Sequence, residues 1–450
     1  MGQLSTWETV KAVMVASSGN LVEWFDFYVY AFFSVYFAEA FFTGVGQTGA
    51  FMLAAGVFFV GFLVRPIGGY IFGRISDRHG RKVGMVASIL MMGFGSLCLA
   101  VLPTAASVGA LAPVLLLIVR CIQGIAVGGE YGSTATYMSE IAQEGRRGFY
   151  SSFQYVTLVG GQLLASALAV AMTTTLGDAR ITAGWWRLPF LIGAVAALVA
   201  LWLRSGLLET TSKSDREHKN AGTLLGVLHH RRAFWVVFGI TSIGSLSFYV
   251  FTTYMQKYLI NTAGFAKGHV AEVMTVCLFI FMLMQPLVGA LSDKIGRKNS
   301  MLIFVIGMII LPVPLLTAIG AQTSIVAAGL LILVAMVFLS FYSSISGIVK
   351  AEMFPAYIRG LGVSFTYAVA NSLFGGSAEY VALAMKNYGY EEVFPWYFVA
   401  VAILGLVAVL FMRDNRVHSM IDNPDTNGGD DGGHVTSLHR TQHQSRQPSV

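Results

Sequence analysis

Six charged side chains stand inside otherwise apolar stretches of the chain: Glu23, Asp26, Arg65, Arg120, Glu130 and Glu379. A charge inside a bilayer costs at least about 2.5–3.5 kcal/mol on insertion scales, so each needs a partner or a task. No histidine falls within these stretches. Proton chemistry, if there is any, therefore falls to carboxylates, whose proton affinity responds to lost water and nearby cations. Asp26, Glu23 and Glu130 are the candidates. Arg120 is the first candidate to hold an anionic ligand, because a guanidinium presents paired donors to a carboxylate. Lys257 could supply a second cation, and Tyr30, Gln123, Gln154, Tyr249 and Asn371 could supply neutral donors or simply helix–helix hydrogen bonds. Spacings of three and four put Glu23, Asp26 and Tyr30 on one helical face. Arg120, Gln123, Glu130, Thr134 and Tyr137 fall within about 100° of one another at 100° per residue.

The elements that must carry these residues are set by composition. Hydrophobic residues make up 55% of the 450 and charged ones 12%, against roughly 25% charged in soluble domains. The lipid bilayer is the expected solvent, and about 20 apolar residues suffice for each crossing. Twelve spans are expected, near 13–42, 51–74, 83–103, 111–139, 148–174, 185–204, 233–259, 269–292, 299–318, 324–351, 361–386 and 393–412. The fold class is an all-α membrane protein of two six-helix bundles, 1–205 and 233–413, joined by a polar linker at 206–232.

The net charge of +6 does not point to nucleic acid. Most Lys and Arg gather in alternate connections, around Arg74 to Lys82, Arg146 and Arg147, Arg204 to Arg232, and Lys294 to Lys298. That asymmetry places both termini in the cytoplasm. The three cysteines lie in apolar runs and imply no disulfide framework. The N-terminus lacks a cleavable leader pattern, so the first span is expected to target the chain to the membrane.

One charged pattern occurs twice, a little under half the chain apart. Gly73, Asp77, Gly80, Arg81 and Lys82 return with the same spacing as Gly289, Asp293, Gly296, Arg297 and Lys298. Each copy joins two apolar spans, so each half carries a charged hairpin. Asp77 with Arg81, and Asp293 with Arg297, are expected to act as gates, pairing locally or clamping a neighbouring helix.

These two stretches resemble the G-x-L-x-D-x-x-G-R-K signature of the major facilitator superfamily, with Ile75 as the only departure in the first copy. The runs Ser17 to Tyr28 and Gly128 to Gly132 are similar to its metabolite:proton symporter family. Runs 152–158, 251–258 and 375–381 resemble that family's α-ketoglutarate carriers, and the resemblance covers about residues 10–413. It implies a secondary transporter that imports a dicarboxylate with protons by alternating access, and works as a monomer without cofactor or metal. It also implies a pairing of Asp26 on span 1 with Arg120 on span 4, as in the superfamily's proton-coupled sugar porters.

Rival readings are a carrier of citrate, shikimate, proline or betaine, a transporter-like receptor, and a uniporter. The chain lacks the Gly-x4-Gly-Lys-Ser/Thr phosphate loop, and an enzyme is not expected. Residues 414–450 turn to Asp, Gly, Asn, Ser, Gln and His, a composition expected to stay disordered in the cytoplasm. His434, His439 and His443 in this tail are read as polar filler rather than a metal site.

Overall fold

A computed structural model describes residues 5–414 and 418–422 of the chain. Twelve long helices organise it. In the first half they are α1 (Thr6–Phe41), α2 (Gly46–Leu63, resuming at Arg65–His79), α3 (Arg81–Val101), α4 (Leu111–Ile141), α5 (Arg147–Leu176) and α6 (Leu188–Ser205). In the second they are α7 (Arg231–Asn261), α8 (Lys267–Ile295), α9 (Arg297–Ile310, resuming at Pro312–Gly320) and α10 (Ile325–Ala351). α11 (Arg359–Ala370, Asn371–Gly375, Ala378–Asn387) and α12 (Phe394–Phe411) close the bundle. Among the described residues there are no strands. Among the described residues, nine helices, or ten with bent α9, are long and apolar enough to cross a bilayer. Of the other two, α1 carries Glu23 and Asp26, and α11 carries Asn371 and Glu379.

Local chemistry explains where these helices start and bend. α1 begins seven residues before the expected position, because Ser5 and Glu8 form a reciprocal cap: Ser5 Oγ accepts the Glu8 N–H, and Glu8 accepts the Ser5 N–H at 2.9 Å. Pro66 has no N–H to give, so α2 resets at Val64 and restarts with Arg65 at its first position. Pro312 bends α9 by 52° in the same way. α7 and α11 each contain one π-turn, at Val250–Tyr254 and Asn371–Gly375. Such bulges rotate the following side chains and gather near functional sites.

Within each half the helices pack mainly among themselves, and the halves meet through α2, α4 and α5 against α8, α10 and α11. The two largest contacts between halves, α2 with α11 and α5 with α8, exchange places when the halves are swapped. Outward faces are apolar, with Trp202, Leu287, Leu330 and Phe411 exposed, whereas Glu23, Asp26, Arg65, Arg120 and Lys350 are buried. This inverts a water-soluble protein and fits lipid outside and polar chemistry inside. α2 and α4 touch backbone to backbone: a methyl group on Gly128 would stand 2.0 Å from the Arg65 carbonyl oxygen. Only hydrogen fits there.

The polar linker is docked against the first half. Glu209 accepts the N–H groups of Arg81 at 2.8 Å and Lys82 at 3.2 Å, capping α3, and Arg78 donates to the Ala221 carbonyl at 2.8 Å. Residues 418–422, expected to be disordered, are seated against both halves. Met420 N–H donates to the Glu352 carbonyl at 2.9 Å, Arg359 donates to the Met420 carbonyl at 3.0 Å, and Arg147 pairs with Asp422 at 2.6 Å. His434, His439 and His443 lie outside the described residues.

Because α2 and α4 are in backbone contact, Gly128→Val should separate them. The expected cost is at least the roughly 1–3 kcal/mol of an overpacked core. A lowered unfolding temperature of the purified protein in detergent is the check, and an unchanged value would contradict the contact.

Candidate functional site

Three buried cations stand out: Arg65 and Lys350, which reach across to the other half, and Arg120 within the first half. Arg65, placed by the Pro66 reset, holds its Cζ 3.8 Å from the Phe62 ring centre and 4.9 Å from Phe27. Its Nη1 donates to Tyr249 Oη at 3.4 Å, while Nε and Nη2 find no acceptor. Arg120 stands 4.0 Å over Tyr30 and donates from Nη1 to Gln123 Oε1 at 2.7 Å, with Nε unpartnered. Lys350 is fully buried. Its ammonium donates to Ser346 Oγ at 2.6 Å, Tyr131 Oη at 2.9 Å and Tyr342 Oη at 3.3 Å, with the Tyr367 ring 4.8 Å away. Among the described residues, none of the three has a carboxylate oxygen within 4.0 Å. A cation–π contact returns about 0.5–2 kcal/mol, less than burying a charge costs, so these three cations stay open to an anionic ligand.

The acids divide into free and bound. Asp26 is reached by a relay in which every donor points toward it. Arg120 donates to Gln123, Gln123 Nε2 to Ser96 Oγ at 3.1 Å, and Ser96 Oγ to Asp26 Oδ2. The expected direct Asp26–Arg120 ion pair is not made, because Ser96 and Gln123 stand between them. Gly193 on α6 leaves the room for Asp26, whose Oδ1 is unpartnered. Both carboxylate oxygens of Glu23, nearby on the same helix, are also unpartnered. Glu130, by contrast, is enclosed. Arg204 donates to both its oxygens, one of them at 2.9 Å, and Ser88 and Thr134 donate at 2.6 and 2.7 Å. That arrangement ties α4, α3 and α6 together.

The remaining candidates separate likewise. Tyr30 donates its hydroxyl to the Ala54 carbonyl at 3.1 Å and offers its ring to Arg120. Tyr249 meets Arg65, and Asn371 is buried with its amide nitrogen unpartnered. Gln154 is turned to the Tyr131 carbonyl, 2.9 Å away, as a joint between α5 and α4. Lys257 is half-exposed and pairs with Glu379 instead of facing the interior.

At the end of the bundle where the repeated hairpins lie, each Asp does two jobs. Asp77 binds Arg81 at 2.5 Å and accepts the N–H groups of Gly360 and Leu361, both at 2.8 Å, at the start of α11. Asp293 binds Arg297 at 2.8 Å and accepts those of Gly148 and Phe149, at 2.8 and 3.0 Å, at the start of α5. A carboxylate at a helix N-terminus meets unpaired N–H groups and the positive end of the dipole. Each hairpin therefore caps a helix of the opposite half. Glu140 reinforces the first contact, joining Arg81 at 3.2 Å and Arg359 at 2.7 Å.

Residues 16–379 match the family model described as Major Facilitator Superfamily. The chain belongs to the major facilitator superfamily. It is 55% identical over 408 residues to the alpha-ketoglutarate permease of Escherichia coli strain K12, covering 91% of this chain and 94% of that one. A citrate-proton symporter of Salmonella typhi is 29% identical over 423 residues, covering 92% and 97%. The proline/betaine transporter of E. coli K12 is 29% identical over 421 residues, covering 90% and 83%. The fold matches the proton:xylose symporter XylE bound to 6-bromo-6-deoxy-D-glucose, with a TM-score of 0.73 at 21% identity over 90% of this chain and 95% of that one. These relatives are transporters rather than enzymes, and this major facilitator is a multi-pass membrane transporter.

Sequence reasoning passed over several residues of this major facilitator's site. Ser96 is an ordinary small residue in an apolar span. Arg204, Lys350 and Arg359 stand near the ends of apolar spans, where sequence alone gives none of them a partner. One signal was available: Arg147-Gly148 and Arg359-Gly360 repeat at nearly the offset of the hairpins, marking the two capped helix starts.

Two outcomes follow from this geometry. Asp77→Asn removes a buried ion-pair partner, which costs about 3–5 kcal/mol. Spin labels on His79 and Lys294, one per hairpin, should then move apart; an unchanged distance would show that the contact does not hold that end shut. Glu130→Gln should reduce folded yield by stranding Arg204, and Glu130→Gln with Arg204→Met should recover much of it. A double variant no better than the single one would argue against a structural clamp.

Proposed function

We propose that this major facilitator imports α-ketoglutarate with protons, alternating between forms open to either side of the membrane. The observation that carries this reading is the interior trio Arg65, Arg120 and Lys350, cations without carboxylate partners. A dianion can answer two of them at once through charge-assisted hydrogen bonds. A zwitterion such as betaine, the cargo named for some relatives, brings one carboxylate and a cation that these residues would repel. The 55% identity to an α-ketoglutarate permease supports the same choice over citrate, whose named carrier is 29% identical.

Coupling runs through the relay. With Asp26 ionised, Ser96, Gln123 and Arg120 are drawn toward it in series. Protonation of Asp26 takes away the charge that aligns the chain and frees Arg120 to hold a substrate carboxylate. Glu23, one turn away with no partner, is the second acid of the pair. Tyr249 and Asn371, beside the π-turns, supply neutral donors, whereas Gln154, Lys257 and Glu130 act in packing and surface contacts. The hairpins, with Asp77, Arg81, Asp293 and Arg297, latch the cytoplasmic end. Both termini then lie in the cytoplasm of a bacterial inner-membrane protein that works as a monomer. Residues 1–205 and 233–413 form the moving halves, with 206–232 as the docked connection and the tail beyond 422 cytoplasmic.

Whole-cell uptake of labelled α-ketoglutarate should accumulate substrate and lose that accumulation when a protonophore collapses the gradient. Asp26→Asn should keep substrate exchange in counterflow while its steady-state accumulation falls to equilibrium. Accumulation by the variant against a gradient would refute the coupling role, and uptake indifferent to the protonophore would refute symport.

A further inference from the structure

Lys350 has a place in the fold that its sequence position hides. It sits near the end of α10, just past the interruption at Ser344 and Ile345 between the helical stretches Ile325–Ser343 and Ser346–Ala351. That interruption turns the ammonium inward, into a box of tyrosines from both halves. Tyr131 belongs to α4, Tyr342 to α10 and Tyr367 to α11, and the Tyr131 and Tyr367 rings stack across the interface at 3.5 Å and 10°. All three ammonium donors are spent on neutral hydroxyls. A carboxylate is a stronger acceptor for the same donors.

α4 connects the two cations. Gly128 touches the Arg65 backbone. Tyr131, three residues on and so about 4.5 Å along the axis, holds Lys350. α4 thus holds the Arg65 backbone on one turn and, on the next, the tyrosine that binds Lys350, so both cations serve the same stretch of the interface between halves.

We propose that Lys350 is the specificity-determining residue that takes the second carboxylate, so that one dianion is gripped by Arg120, with Arg65 across the Phe27 ring from it, on the first half and by Lys350 on the second. The inference rests on the dicarboxylate reading above and adds how the second charge is recognised. A monocarboxylate of the same skeleton satisfies the first-half arginines and leaves Lys350 facing hydroxyls. It also leaves the halves unbridged. Selection for the dianion and closure around it are then the same event.

The test compares binding of α-ketoglutarate and 2-oxopentanoate, its counterpart with one carboxylate, to the purified full chain. Wild type should prefer the dicarboxylate by about 10- to 100-fold, the scale of one charged hydrogen-bonding site. Lys350→Met should shrink that preference to within about threefold, mainly by weakening α-ketoglutarate, and Lys350→Arg should retain part of it. Unfolding temperature separates recognition from folding: removing an uncompensated buried charge should leave Lys350→Met at least as stable as wild type. A Met variant that keeps the preference, or one destabilised with both ligands weakened equally, overturns the proposal. If wild type binds glutarate or succinate but not α-ketoglutarate, and the variant loses that binding, the substrate assignment fails and the role of Lys350 stands. A wild type without preference for dicarboxylates overturns both.

Discussion

A charge taken out of water has to be answered by another group, and the way each buried charge is answered orders this protein. Where an opposite charge is built in, the result is a joint. Arg204 with Glu130 locks α6 to α4, and Asp77, Arg81, Glu140 and Arg359 close one end of the interface between halves. Where only rings and hydroxyls answer, as at Arg65, Arg120 and Lys350, the charge is left for a ligand. The joints gather toward the hairpin end and the α3–α4–α6 packing, while Arg65 and Lys350 reach across the interface and Arg120 stands within the first half. Rigid joints and a receptive interior are thus two outcomes of the same physics.

The internal repeat gives those joints a common plan with unequal weight. Both hairpins place an aspartate on the N-terminus of a helix in the other half, with nearly the same distances. The first pair is completely buried and is reinforced by Glu140 at 3.2 Å. The second is slightly exposed, and Glu352 stands 3.8 Å from its arginine. On that second side the chain adds its own end, as Asp422 pairs with Arg147 and Met420 spans Glu352 and Arg359. Pseudo-symmetry therefore sets where the halves hold each other, and local side chains set how tightly.

The legibility of the chain follows from the range over which each signal acts. The hairpins were readable because their glycines, aspartates and arginines serve a local turn and a local pair, which spacing records. The polar faces of α1 and α4 were readable because helical periodicity is local too. The relay was not. Ser96 and Gln123 come from different helices, and nothing about a serine in an apolar run marks it as the group between Asp26 and Arg120. Glu130 looked like a free acid until Arg204, 74 positions away, was brought against it.

Composition, periodicity and a repeated motif, all properties of neighbouring residues, thus determined the membrane setting, the twelve helices, the two-fold plan and the family resemblance. Tertiary structure alone decided which charges are paired and which are open, because pairing depends on contacts between helices far apart in the chain. It made Glu130 a joint, turned Lys350 from a helix end into a tyrosine box, and separated Asp26 from Arg120 by two hydrogen-bonded side chains. Sequence named the ionisable groups. Packing distributed their partners, and through those partners their work.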